Sequence, residues 1–259
     1  MMLQSWLWGE VPEGFKKIVA EGGSRLILRG DLDGALGARS WQECGAGAEP
    51  TRLQGRGSLQ SLRLANGERA LLRRYRHGGA LRGLTGDIFF TWPPRPFHEL
   101  AVTEELRRRG VPTVEVYGAC VEPVWGPFYC GWLATRALEG AQDLWAAFQS
   151  GFVREVGEEA ALRAVAKSLR AMHRQGVCHA DLNLKNILLR RDSGGVTGYI
   201  IDFDKAKLVL GSLPLPLAKK NLDRLLRSAR KLDPERRYFS SARWDDFIGY
   251  YHEGGDAQS

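Results

Sequence analysis

His179-Ala180-Asp181-Leu182-Asn183-Leu184-Lys185-Asn186 runs into the apolar Ile187-Leu188-Leu189, and fifteen residues after Asn186 comes Ile201-Asp202-Phe203-Asp204. The first stretch puts a carboxylate, Asp181, and an amide oxygen, Asn186, on one short loop. Asp202 supplies a second carboxylate at the end of another apolar strand. Moving a phosphoryl group needs a carboxylate to orient a hydroxyl and receive its proton, and a cation to neutralise phosphate charge. Mg²⁺ takes oxygen ligands, one or two from carboxylates and the rest from phosphate and water. Asp181 suits the base; Asn186 and Asp202 suit the metal. Singly, each reads as an ordinary turn residue or cap. In this order and spacing, between a helix and two strands, they point together to phosphoryl transfer.

Around this stretch the pattern is helical. Ala161, Val165, Leu169 and Met172 recur at helical spacing over 155–175, and Gly176 ends the run. Short strands are predicted at Ile187–Leu189 and Tyr199–Ile201 about an Asp-Ser-Gly-Gly turn, with further helices over 217–231 and 244–251. The first half reads differently. Phe15–Val19, Arg25–Leu28 and Leu59–Leu64 have strand character, and Asn66-Gly67 predicts a hairpin with both turn residues at positive φ. A helix is expected over 97–109, with Pro93–Pro96 outside its interior. VPTVEVYGACV and FYCGWLATR predict another hairpin. The fold class is therefore α+β with two lobes, a β-rich 1–138 and an α-rich 139–259, and a cleft between such lobes is a common ligand site.

HADLNLKN resembles the H-x-D-x-x-x-x-N catalytic loop of the protein-kinase superfamily, and Asp202-Phe203-Asp204 stands where D-F-G would be. The resemblance implies Asp181 as catalytic base, Asn186 and Asp202 as Mg²⁺ ligands, and ATP as donor. The first half then supplies the ATP roof. Gly55 and Gly57, in Gly55-Arg56-Gly57-Ser58, make a shortened glycine-rich loop or a plain turn. The strand after the first hairpin carries Arg73 where a protein kinase has a phosphate-contacting lysine. A guanidinium binds phosphate bidentately, with a different geometry. Glu99, on the following helix, is the acid that would position Arg73.

The departures narrow the family. LLRRYRHGG, PRPFHELAVTEELRRRGVPTVEVYGA, GWLATRALEGAQDL, HADLNLKNILL, IIDFDKAKL and NLDRLLRS, in that order, are similar to the bacterial lipopolysaccharide core kinases. The similarity is greatest to those acting on 3-deoxy-D-manno-octulosonic acid (Kdo), and it covers roughly residues 50–250. It implies phosphorylation of a hydroxyl on Kdo-lipid A at the cytoplasmic face of the inner membrane. A kinase for another acceptor (a core heptose, a small alcohol or a protein) and a nucleotide-binding pseudokinase scaffold are the alternatives, the latter because the lysine is missing.

Composition agrees with an anionic partner. Net charge is +7, and basic clusters at Arg73-Arg74-Arg76, Arg107–Arg109, Lys205/Lys207 and Lys219-Lys220 suit an acidic glycolipid and the leaflet beneath it. The basic residues are scattered and no reader motif accompanies them, so nucleic acid is not expected. Phe89, Phe90 and Trp92 beside prolines read either as an interfacial loop or as core. Cys44, Cys120, Cys130 and Cys178 show no zinc spacing and read as free thiols, although Cys120 and Cys130 could face each other across a hairpin. His77 and Cys178 receive no role. The opening MMLQSWLWGEVPEGF lacks the layout of a secretory leader, and no run is long enough to span a bilayer; a cytosolic protein, peripheral on the inner membrane, is expected.

Overall fold

The structure is a computed structural model, and it describes residues 7–32, 36, 41, 59–64, 66–76 and 86–253. The described residues of Met1–Glu105 and Glu115–Ala137 form one compact unit, and those of Leu106–Val114 and Leu138–Ser259 form a second. Gly55, Gly57, Cys44, His77 and the Gly78-Gly79 pair lie outside the described residues.

The first unit contains β1 (Phe15–Val19), β2 (Arg25–Arg29), β3 (Leu59–Arg63), β4 (Arg69–Arg74), β5 (Val116–Trp125) and β6 (Phe128–Arg136), with helix α1 (Arg95–Arg108) starting in it. The strands make one antiparallel sheet in the order β1-β2-β5-β6-β4-β3. Alternation along the strands sorts side chains to two buried faces. Leu26, Leu28, Leu72, Cys120, Cys130 and Trp132 share one cluster. Ile27, Ala119, Val121, Tyr129 and Leu133 share the other with Phe97 and Leu100 of α1. Pro96 falls in the first turn of α1, where a missing N–H costs nothing.

Several expectations are corrected here. The β3–β4 hairpin forms, but only Gly67 takes positive φ. Leu64 N–H donates to Glu68 O and Gly67 N–H donates to Leu64 O, so the strands close on the Leu64/Glu68 pair and not on a two-residue primed turn. Cys120 faces Trp132 and Cys130 faces Glu122 in the β5–β6 register. The two thiols are thus offset, and both are free. Burial pushes the Cys120 thiol pKa up. Of the three aromatics beside the prolines, Phe89 is buried and Trp92 packs against the core. Phe90 alone is exposed, with its ring 5.4 Å from that of Phe128.

The second unit holds β7 (Gln142–Asp143), α2 (Leu144–Ser150), α3 (Phe152–Val156), α4 (Glu158–Arg174), β8 (Val177–Cys178), β9 (Ile187–Asp192), β10 (Gly195–Ile200), β11 (Lys207–Leu208), α5 (Leu215–Leu232) and α6 (Ser241–His252). The run read as one helix from 155 is broken: Gly157, at φ 90 and ψ 122, ends α3 and starts α4. That backbone is open to glycine and strained for other residues. Helix α4 buries Ala161, Leu162, Val165, Leu169 and Met172 on one stripe. Strands β10, β9 and β7 form a three-stranded antiparallel sheet, and β11 pairs β8.

Candidate active site

In the second unit the chain leaves α4 through β8 and enters the loop 179–186. Asn183 caps a 3₁₀ turn over Leu184–Asn186, its Oδ1 accepting from Lys185 N–H at 3.0 Å. The Nδ2 groups of Asn183 and Asn186 both donate to the Asp181 carbonyl, at 2.8 and 2.9 Å. Asp181 and Asn186 are therefore tied to one backbone oxygen. With Nδ2 of Asn186 committed to that carbonyl, its Oδ1 is the atom suited to a cation. The Asp181 side chain is exposed.

His179 joins this loop to the second acid. Its Nδ1 accepts from Asp181 N–H at 3.2 Å, so Nε2 carries the proton and donates to Ile201 O at 2.9 Å. Burial holds the His179 pKa down and keeps the ring neutral, which this double role requires. Phe203 is fully buried with its ring 5.2 Å from the imidazole. Between Ile201 and Phe203, Asp202 adopts φ 70. A non-glycine residue there is strained by about 1–2 kcal/mol, less for aspartate than for most, and such strain collects at functional sites. Asn186 O in turn accepts from Ile201 N–H at 3.0 Å. Asp181, Asn186 and Asp202 thus stand on two chain segments stitched by His179 and by this backbone bond.

Helix α5 supports the loop from behind, and sequence reasoning missed these residues. Asn221 is fully buried. Its Oδ1 accepts from His179 N–H at 3.0 Å and its Nδ2 donates to His179 O at 2.7 Å. Arg224 donates to the Ala180 carbonyl, and Ser228 Oγ accepts from Leu184 N–H at 3.2 Å. The signal was present: Asn221, Arg224 and Ser228 sit at i, i+3 and i+7 within NLDRLLRS, one helix face. Behind them His173 bonds Asn221 Oδ1 at 3.2 Å and Tyr251 OH at 2.7 Å, and burial lowers its pKa to about 4.

In the first unit, Arg73 of β4 and Glu99 of α1 are ion-paired at 2.5 Å. Glu99 is 2% exposed and also accepts from Tyr75 OH. The Arg73 guanidinium lies 4.8 Å from the Tyr75 ring centroid. Tyr75, two residues beyond Arg73 and given no role by the sequence, shares the carboxylate that holds the arginine.

Among the described residues no cluster of three or more His, Cys, Asp or Glu side chains is arranged to hold a metal. One carboxylate and one amide oxygen nonetheless fit Mg²⁺ carried on a triphosphate, because phosphate and water fill most of its shell.

The fold and this loop define the class: a phosphotransferase of protein-kinase-like build. The model described as "Lipopolysaccharide kinase (Kdo/WaaP) family" matches residues 42–251. The 3-deoxy-D-manno-octulosonic acid kinase of Pasteurella multocida is 33% identical over 204 residues, 76% of this chain and 82% of that protein. Its counterpart in Xylella fastidiosa is 34% identical over 199 residues, 74% of each chain. A solved structure of WaaP in complex with acyl carrier protein superposes with a TM-score of 0.56 over 88% of both chains, at 20% identity. That last likeness is one of fold. The chain belongs to the lipopolysaccharide kinase (Kdo/WaaP) family, and is a sugar kinase of lipopolysaccharide assembly.

Proposed function

We propose that the protein transfers the γ-phosphate of ATP to a hydroxyl of Kdo in Kdo-lipid A, working on the cytoplasmic face of the inner membrane. The observation that carries this is the loop itself: Asp181, Asn186 and Asp202 are presented by a backbone fixed through buried His179 and Asn221. Asp181 orients the acceptor hydroxyl and takes its proton. Its exposed carboxylate suits a group that must reach an incoming sugar, while its N–H and C=O are held. Asn186 and Asp202 hold Mg²⁺, which when bound neutralises phosphate charge. Arg73, braced by Glu99 and Tyr75, contacts the nucleotide phosphates in place of a lysine. Gly55 and Gly57 would bring backbone N–H groups to the same phosphates.

The Kdo acceptor is supported by the two Kdo kinases to which the chain is similar. A basic chain, net +7, suits an acceptor bearing carboxylate and phosphates. The peripheral location is supported by that lipid-borne acceptor; among the described residues no helix is long and apolar enough to cross a membrane.

The test is phosphate transfer from labelled ATP to Kdo-lipid A, with heptose-bearing core and a free alcohol as competing acceptors. Asp181→Ala should lower transfer about 10²–10⁴-fold without changing the melting temperature. Equal transfer by native and variant proteins would remove the base. Preference for the heptose acceptor would move the assignment to that sugar.

A further inference from the structure

Beyond Asp202-Phe203-Asp204, the segment 205–220 carries Lys205, Lys207, Lys219 and Lys220 and no acidic residue. On it Leu208 is 43% exposed, Leu215 80% and Leu210 fully exposed at 103%. A single surface leucine needs no explanation. Three within the eight residues 208–215, flanked by the lysine pairs 205/207 and 219/220, do.

This segment is fastened down along its length. Lys207 and Leu208 pair with Cys178 and Val177 of β8. Val209 N–H donates to Gly176 O at 2.9 Å, and Leu213 N–H donates to His173 O at 2.7 Å. Ser212 Oγ donates to Arg174 O at 3.4 Å. Gly176 sits at φ 73, and a Cβ there would lie 2.3 Å from Val209 O and 2.4 Å from Gly211 O. No side chain fits beneath the strap. Leu213, 6% exposed, is its inward anchor. The outward leucines are thus presented by a fixed backbone.

We propose that residues 205–220 form a docking strap for an anionic lipid leaflet, with Leu208, Leu210 and Leu215 entering the headgroup boundary and the four lysines meeting lipid phosphates. An apolar ridge flanked by lysines is the composition that binds such a surface. A second copy of this chain is a poor occupant, because a two-fold contact would set these two lysine pairs against their own copies. The purpose of the strap rests on the proposed lipid-borne acceptor. Its binding does not, and is measured without acceptor or nucleotide.

The experiment is co-sedimentation of the full chain with phosphatidylethanolamine/phosphatidylglycerol vesicles and with neutral phosphatidylcholine vesicles. Native protein should bind the anionic vesicles at least 10-fold more tightly. Leu210→Ser/Leu215→Ser and Lys219→Ser/Lys220→Ser should each weaken that binding about 10-fold or more, at unchanged melting temperature. Raising salt should abolish the difference made by the lysine pair and preserve the one made by the leucine pair. Equal binding by native and both double variants, or no preference for anionic vesicles, overturns the proposal. So does a leucine variant that turns a dimer into a monomer, since a second copy would then own the surface. Failure of transfer to Kdo with vesicle binding intact would refute the acceptor assignment alone.

Discussion

The first unit and the second unit fix a charged group by opposite means. In the first, the side chains themselves are locked: Glu99 is 2% exposed and bound by both Arg73 and Tyr75. In the second, the backbone is locked and the acid is left outside: His179 and Asn221 take up the main chain around Asp181, whose carboxylate is exposed. The proposed phosphate grip gains from immobility. The proposed base needs a fixed root and a reachable tip. The difference predicts that mutations in the first unit act through buried charge, and those in the second through loop geometry.

The largest effect on stability is expected at Arg73. Arg73→Ala removes the guanidinium paired with the buried Glu99 carboxylate, at a cost of about 3 kcal/mol. Chemical denaturation measures it, and Glu99→Gln/Arg73→Ala should recover much of the loss because the stranded charge is gone. A loss that persists in the double variant would mean that packing, and not charge, dominates. Asn221→Ala comes next. It strips partners from the buried His179 N–H and C=O, costing about 2 kcal/mol. Its kcat should also fall although Asp181 is intact, whereas Arg73→Lys should chiefly raise KM for ATP. An Asn221 variant with native kcat would show that the loop holds its shape unaided.

The effect that is smallest near neutral pH is a pH dependence specific to the second unit. His173 has its pKa lowered to about 4 from 6.5 by burial, and His179 is shifted the same way. The unfolded chain therefore binds more protons than the folded one between those values. Stability should be complete above about pH 6.5 and decline toward pH 4, on the order of 1 kcal/mol per unit. His173→Gln should flatten the slope; an unaltered slope would assign it to other groups.

The neighbourhood of Asp181, Asn186 and Asp202 was legible because it is local. Asp181 and Asn186 sit five apart on one turn, and Asp202 follows a two-strand hairpin, so linear spacing encodes their neighbourhood. The α+β class was legible for a related reason, since strand and helix periods separate along the chain. Asn221 and His173 were not, because their roles come from α5 and α4 meeting around the loop, and a buried asparagine looks like any polar residue on a helix. The break at Gly157 was hidden by apolar periodicity that continues through it. Phe89, Phe90 and Trp92 look alike in sequence, yet the bridge of Phe89 to Tyr129 buries the first and leaves Phe90 outside. Register decided it.

The most direct test of the proposed metal–nucleotide site is the melting temperature with and without ATP and Mg²⁺, comparing the native chain with Asp202→Ala. Ligand at a hundred times its Kd should stabilise the native protein by about 2.7 kcal/mol. That gain should vanish on chelating the metal and be absent in Asp202→Ala. A native protein unmoved by millimolar nucleotide and metal, or an Asp202→Ala variant that shifts equally, would contradict it.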